Sequence, residues 1–325
     1  MAETTLIGAV NMALTRAMAD DETVVVLGED VAVDGGVFRA TDGLLARFGA
    51  ARVIDTPLAE AGISGVAVGM AAQGLKPVAE IQFMGFIYPT LDQIVSHAAR
   101  LRNRTRGRLA CPMVLRAPFG GGIRAPEHHS ESTEAMFAHV PGLRVVIPSS
   151  PRRAYSLLLA AIRDPDPVVF LEPKRIYRAF REAVADDGQA LPLDVCFTVR
   201  EGRDLTFVTW GAMIKETLAA ADALAAEGVA AEVIDVATLK PLDEKTILDS
   251  VASTGRCVIV HEAAYSGGWG GEIAARLAER GLTSLLAPVE RVTGYDTVMP
   301  LYRLENRYMP STGRILAAAR RALAY

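Results

Sequence analysis

The chain has 325 residues, half of them hydrophobic and 22% charged, with 34 Lys and Arg against 38 Asp and Glu. That length fits two domains of about 100–200 residues, and the net charge of −4 excludes a polybasic surface for nucleic acid or anionic membrane. Cys111, Cys196 and Cys257 lie too far apart for a disulfide framework or a zinc site, which suits a reducing, cytoplasmic location.

The opening stretch, MAETTLIGAVNMALTRAMADDE, is acidic and periodic and lacks the basic segment of a secretion signal. Short β-branched runs predict strands over 24–28, 52–55, 78–83, 112–116, 144–147 and 168–171. Between them the 3.6-residue period predicts helices over 5–18, 60–74, 90–102 and 152–163. Strands that are apolar throughout, not alternating, imply a largely parallel sheet covered on both faces, hence an α/β fold. The longest apolar run, 61–75, is too short to span a bilayer, so the chain is expected to be soluble and free of membrane.

The pattern lapses between 181 and 204, which reads as a linker, and then restarts with strands over 205–211, 231–236 and 257–262. Helices are predicted over 213–227, 243–253, 271–280 and 312–324. This gives one domain over 1–180 and another over 205–325.

Helix 60–74 is apolar almost all round and holds Gly62, Gly65, Gly69 and Gly74. Such a helix must be buried, in the core of its domain or against a partner subunit, and its glycines suggest close backbone approach. Thr56 suits its N-cap and Pro57 its first position. A capping box needs Glu or Gln at position 59, which is Ala59, so Glu60 has no reciprocal cap to explain it. Either it complements the helix dipole or it hydrogen-bonds a protonatable ligand nitrogen.

After the strand over 78–83, Gln82, Phe83, Phe86 and Tyr88 offer an amide and aromatic rings, as core or as a wall for a flat heteroaromatic ligand. Farther on, Gly120-Gly121-Gly122 leads to His128 and His129, either exposed loop histidines or a general acid on an active-site loop. Neighbouring histidines are poorly placed to chelate one ion together. His97, His139 and His261 read as structural. No GXGXXG, P-loop, HEXXH or GXSXG motif occurs.

Taken together these segments resemble the beta subunits of the thiamine-diphosphate-dependent first component of 2-oxo acid dehydrogenase complexes, most of all the pyruvate type. The likeness runs end to end: LGEDV at 27–31, GGVFRATDGL at 35–44, RVIDTPLAEAGI at 52–63, PVAEIQF at 77–83 and RAPFGGG at 116–122. It continues with HVPGLRVVIPSSP at 139–151, AAIRDPDPVVFLEPKRIYR at 160–178, AEVIDVATLKPLD at 231–243 and APVERVTGYDT at 287–297.

The resemblance implies a transketolase-like pyrimidine-binding domain followed by a transketolase C-terminal domain. By the same likeness Glu60 binds N1′ of the cofactor's aminopyrimidine, Gln82 and Phe86 line its pocket, and Glu29 is a second acid linking paired active sites. His129 assists acyl transfer to a lipoyl group; the acid in His129-Ser130-Glu131, where many relatives have HSQ, leans toward pyruvate as substrate. Ala161, Ile162, Asp164 and Asp166 match a structural potassium site. The Gly-Asp-Gly motif that holds Mg²⁺ in such enzymes is absent, so the resemblance implies an alpha subunit supplying Mg²⁺ ligands in an α2β2 heterotetramer that docks on a lipoyl-bearing acyltransferase core. Branched-chain 2-oxo acid or acetoin dehydrogenase beta subunits, and a non-catalytic assembly subunit, are the alternatives.

Overall fold

The computed structural model describes residues 2–325. The chain divides into two compact units. One runs to Phe119 and resumes over Met136–Leu193; the other comprises Gly120–Ala135 and Asp194–Tyr325.

The first unit contains β1 (Ala2–Thr4), β2 (Val24–Gly28), β3 (Val53–Asp55), β4 (Lys76–Glu80), β5 (Val114–Phe119), β6 (Arg144–Val146), β7 (Val168–Pro173) and β8 (Glu182–Val184). Its main sheet is parallel, in the order β6-β7-β5-β4-β2-β3. β2, β5 and β7 are buried along their whole length, the burial that uninterrupted apolar runs require. Helices Leu6–Asp20 and Pro151–Arg163 pack against each other. Each begins where a hydroxyl can take a free helix amide: Thr5 accepts from Gly8 N, and Ser150 accepts from Arg153 N just ahead of Pro151.

The second unit contains β9 (Phe197–Arg200), β10 (Leu205–Thr209), β11 (Ala231–Asp235), β12 (Thr238–Lys240), β13 (Cys257–Val260) and β14 (Glu290–Val292). Its sheet runs β14-β13-β10-β11-β9, with only β9 antiparallel. Helices Ile214–Ala226, Glu244–Thr254, Trp269–Arg280 and Thr312–Leu323 alternate with these strands. The stretch 181–204 carries β8, paired with β1, and β9. Among the described residues no helix is long and apolar enough to cross a membrane.

Two local expectations are corrected. The helix expected over 90–102 is a succession of 3₁₀ (Met84–Thr90), π (Asp92–His97), 3₁₀ (Ala98–Arg100) and short α (Leu101–Arg104) turns. Pro89 lies inside the first turn and has no amide to give an α ladder. The helix predicted over 60–74 does start at Glu60, but Thr56 is not its N-cap: Ala59 takes that place with no side-chain cap, and Thr56 N is bonded to Gly28 O. Within this chain that helix is covered on one side only, which leaves burial against a partner subunit as the remaining alternative. Ile63, Ser64, Ala67 and Ala71 face inward, while Ala61, Gly62, Val66 and Gly69 are exposed. Close approach within this chain does not require Gly69, where a Cβ would meet nothing within 4 Å.

At the centre of the first unit lies a buried ionic cluster. Arg116 on β5 bonds Glu80 of β4 through Nη1 (2.7 Å) and Glu172 of β7 through Nε (2.6 Å), and Tyr177 donates to the other Glu172 oxygen at 2.7 Å. Burial disfavours the charge on Arg116, but Glu172 and Glu80 outweigh it and hold the guanidinium protonated. Replacing Arg116 with Met leaves two carboxylates buried without a cation. We expect a loss of about 3–5 kcal/mol, read as a lower urea midpoint; a change below about 1 kcal/mol would mean that water enters the cluster.

Candidate active site

Ligands of open parallel sheets gather beyond the carboxyl ends of the strands, and the first unit places its acidic and amide groups there. Glu29 follows β2, Gln82 follows β4, and Glu60 opens the helix that follows β3. Glu29 is 6% exposed and its Oε1 has no hydrogen-bond partner. Burial raises its carboxyl above the ordinary range, and repulsion from Glu60 and Asp30 adds to the rise. A buried carboxylate oxygen left empty beside a second acid is where a protonated or N–H-bearing ligand atom gains most.

Gln82 is fastened. Its Nε2 donates to Asp30 Oδ2 at 2.7 Å, which leaves the amide carbonyl as the group to present to a ligand. Asp30 itself adopts φ +57, in the left-handed region that Asp tolerates. Phe86 meets Phe83 edge-on (centroids 6.0 Å apart), Phe83 meets Phe38 at 5.5 Å, and Phe38 meets Tyr177 at 5.2 Å. The aromatic wall is therefore continuous with the ionic cluster through Tyr177. Glu29, Glu60, Gln82 and Phe86 all belong to this unit; Asp30 completes the set and was not singled out from sequence, although it sits in the LGEDV segment.

The glycine-rich loop belongs to the second unit. His128 and His129 close a short 3₁₀ turn, Glu127–His129, with His129 N donating to Pro126 O at 3.0 Å. His128 Nδ1 lies 3.8 Å from Glu131 Oε1, and burial raises the Glu131 carboxyl. The base of the loop is held by two carboxylates. Glu262, just beyond β13, accepts from Gly121 N at 2.8 Å; Glu305 accepts from Gly122 N at 2.7 Å and from Arg124 N at 2.9 Å. Charge-assisted bonds of this kind contribute about 1.5–3 kcal/mol each. Neither acid stands out in the sequence.

Of the potassium-site residues, Ala161 and Ile162 lie in the last turn of helix Pro151–Arg163 and Asp164 caps it. Asp164 pairs with Arg144 (2.8 Å) and accepts from Asp166 N, while Asp166 pairs with Arg102 (2.6 Å). Both carboxylates are engaged, so a cation there would rest mainly on main-chain oxygens. Among the described residues no group of three or more His, Cys, Asp or Glu could hold a metal ion.

Two family models match the chain: transketolase, pyrimidine binding domain, over residues 2–179, and transketolase, C-terminal domain, over residues 196–315. It is thus an α/β protein of transketolase type. A solved structure described as split gene transketolase, inactive beta4 tetramer, has the same fold, with a TM-score of 0.82 over 99% of each chain at 24% identity. The chain is 50% identical to the pyruvate dehydrogenase E1 component subunit beta of Acholeplasma laidlawii over 321 residues, covering 99% of this chain and 98% of the relative. It is 47% identical to the subunit of the same name from Bacillus subtilis over 325 residues, covering 100% of both. The chain belongs to the pyruvate dehydrogenase E1 beta subunit family, which bears out the resemblance read from its motifs.

Beneath the loop, Glu134 accepts from Trp210 Nε1 at 3.3 Å, and Trp210 stacks on His261 with centroids 5.0 Å apart. Burial pushes Glu134 up to about 8; its main-chain bond and Trp210 oppose the rise, and repulsion from Glu262 adds to it. The folded chain thus keeps a proton that the unfolded chain, with an ordinary value of 4.5, releases. The resulting stabilisation is complete below pH 4.5, declines as pH rises, and is gone above about 8. Glu134→Gln should flatten the fall in urea midpoint between about pH 5 and about pH 8.5. A slope equal to that of the parent chain would assign the pH dependence to another group.

Proposed function

We propose that this chain is the pyrimidine-holding half of a thiamine-diphosphate-dependent 2-oxo acid dehydrogenase that decarboxylates pyruvate oxidatively and acetylates a lipoyl group. The likeness to E1 beta subunits across 99–100% of the chain carries this reading. The cluster in the first unit fits the cofactor's ring: an unpartnered buried oxygen on Glu29, the neighbouring acid Glu60, a fastened amide and an aromatic side chain.

The chemistry that thiamine diphosphate would supply when bound is a nucleophilic carbon and an electron sink for decarboxylation. Glu60 holds the proton at the ring nitrogen N1′, its carboxylate standing at the N-terminal end of a 13-residue helix. Gln82 orients the ring through its amide, Phe86 packs on it, and Glu29 keeps the neighbourhood acidic. His129 acts as acid toward the lipoyl acceptor.

An alpha subunit supplies the Mg²⁺ and diphosphate ligands, since no Gly-Asp-Gly motif occurs here. The exposed small-residue side of helix Glu60–Ala72 supports a subunit contact in an α2β2 assembly. A potassium ion at the carbonyls around Ala161, Ile162, Asp164 and Asp166 and a docking surface for the acyltransferase core complete the proposal, with a cytoplasmic location.

The test is co-assembly with the alpha partner followed by assays on pyruvate, branched 2-oxo acids and acetoin. Pyruvate should be preferred, and Glu60→Gln should lose about 100-fold or more in turnover while still forming the assembly. Full turnover by that variant, or vigorous activity of this chain alone, would overturn the reading.

A further inference from the structure

The loop between Gly120 and Ser132 has an unusual backbone. Gly120, Gly122 and Arg124 have φ of +79, +89 and +60, whereas Gly121 and Ile123 between them do not enter that region. Alternation of left- and right-handed residues turns successive amides toward one side and forms a concave nest that attracts anions. Here the anions are the protein's own. Three amides, Gly121, Gly122 and Arg124, end on the carboxylates of Glu262 and Glu305, which are 3% and 2% exposed.

The fit tolerates no side chain at its centre. A Cβ on Gly120 would lie 2.5 and 2.6 Å from the two Glu262 oxygens. Glu305 spans two amides, one on each oxygen, from the start of the short helix Glu305–Tyr308. A glutamine there has one acceptor and turns an NH₂ toward the second amide, so it can satisfy only half of the arrangement. The far limb returns to the same place, since Gly120 N donates to Glu131 O at 3.0 Å. Between these fastenings Ile123, Arg124 and Glu127 are exposed, so the excursion that carries the histidines has little packing of its own.

We infer that Glu262 and Glu305 are positioning residues, whose carboxylates fill the amide nest and thereby hold the His128–His129 turn in one conformation. This rests on the proposed part of that turn in acetylating a lipoyl acceptor. Misplacing a catalytic group by about 1 Å can cost roughly 100-fold in rate, which is how two acids that touch no substrate would govern turnover.

The experiment uses the chain assembled with its alpha partner and compares parent, Glu305→Gln, Gly120→Ala and His129→Ala. Gly120→Ala keeps both acids but crowds Glu262 and strains a backbone at φ +79, so it loosens the same fastening without altering a charge. Hydrogen exchange by mass spectrometry over residues 119–126 should quicken roughly tenfold in the first two variants and stay unchanged over β13. Trypsin should cut faster after Arg124. Turnover in lipoyl acetylation should fall roughly tenfold or more, with KM for pyruvate and ferricyanide-coupled decarboxylation within about twofold of the parent. A Glu305→Asp variant, too short to span both amides, should not restore the parent's exchange. Unchanged exchange at 119–126, or exchange quickened equally throughout the second unit, would overturn the inference. If exchange quickens at the loop while His129→Ala acetylates lipoyl at the parent rate, the catalytic reading of the loop fails instead, and the positioning claim falls with it.

Discussion

A guanidinium sealed from water has to be neutralised where it stands, and Arg116 meets that demand with two carboxylates from the strands on either side. Glu80 and Glu172 thereby fix the lateral match of β4, β5 and β7 at their carboxyl ends. The geometry propagates outward from there. Gly36 has φ +78, and a Cβ on it would lie 3.1 Å from Glu80 Oε1, so the glycine admits the loop to the cluster. Tyr177 passes from Glu172 to Phe38, and Phe38 to Phe83 and Phe86. The aromatic wall is thus set by a charge that does not touch it.

Acids at strand ends are used in two opposite ways. In the first unit Glu29, Asp30 and Glu60 crowd together and one Glu29 oxygen has no hydrogen-bond partner, an arrangement that raises the Glu29 carboxyl. In the second unit Glu262 and Glu305 are saturated by main-chain amides and serve order instead. Glu134 is a third case, an acid so enclosed that it remains protonated at neutral pH and acts as a neutral hydrogen-bonding group.

Much of this was legible beforehand. Continuous apolar runs located the strands because a sheet covered on both faces leaves no room for alternation, and the strand at Val24–Gly28 was read to the residue. Glu60 stood out because its position fitted no capping rule. Its helix starts at Glu60 as the periodicity predicts, but the N-cap does not fall at Thr56, whose amide the sheet still claims. The π turn at Asp92–His97 leaves no periodic trace that distinguishes it from an α-helix. Glu262 and Glu305 were invisible for another reason: they meet their loop across more than 140 positions of chain.

The helix Glu60–Ala72 carries a lesson about selection. Glycine in a helix interior costs roughly 0.5–1 kcal/mol relative to alanine, and at Gly69 alanine would find open space. Folding of this polypeptide alone would favour the change, so the packing of this chain does not account for the glycine. An engineer who maximised the thermal tolerance of the isolated chain would begin at that position.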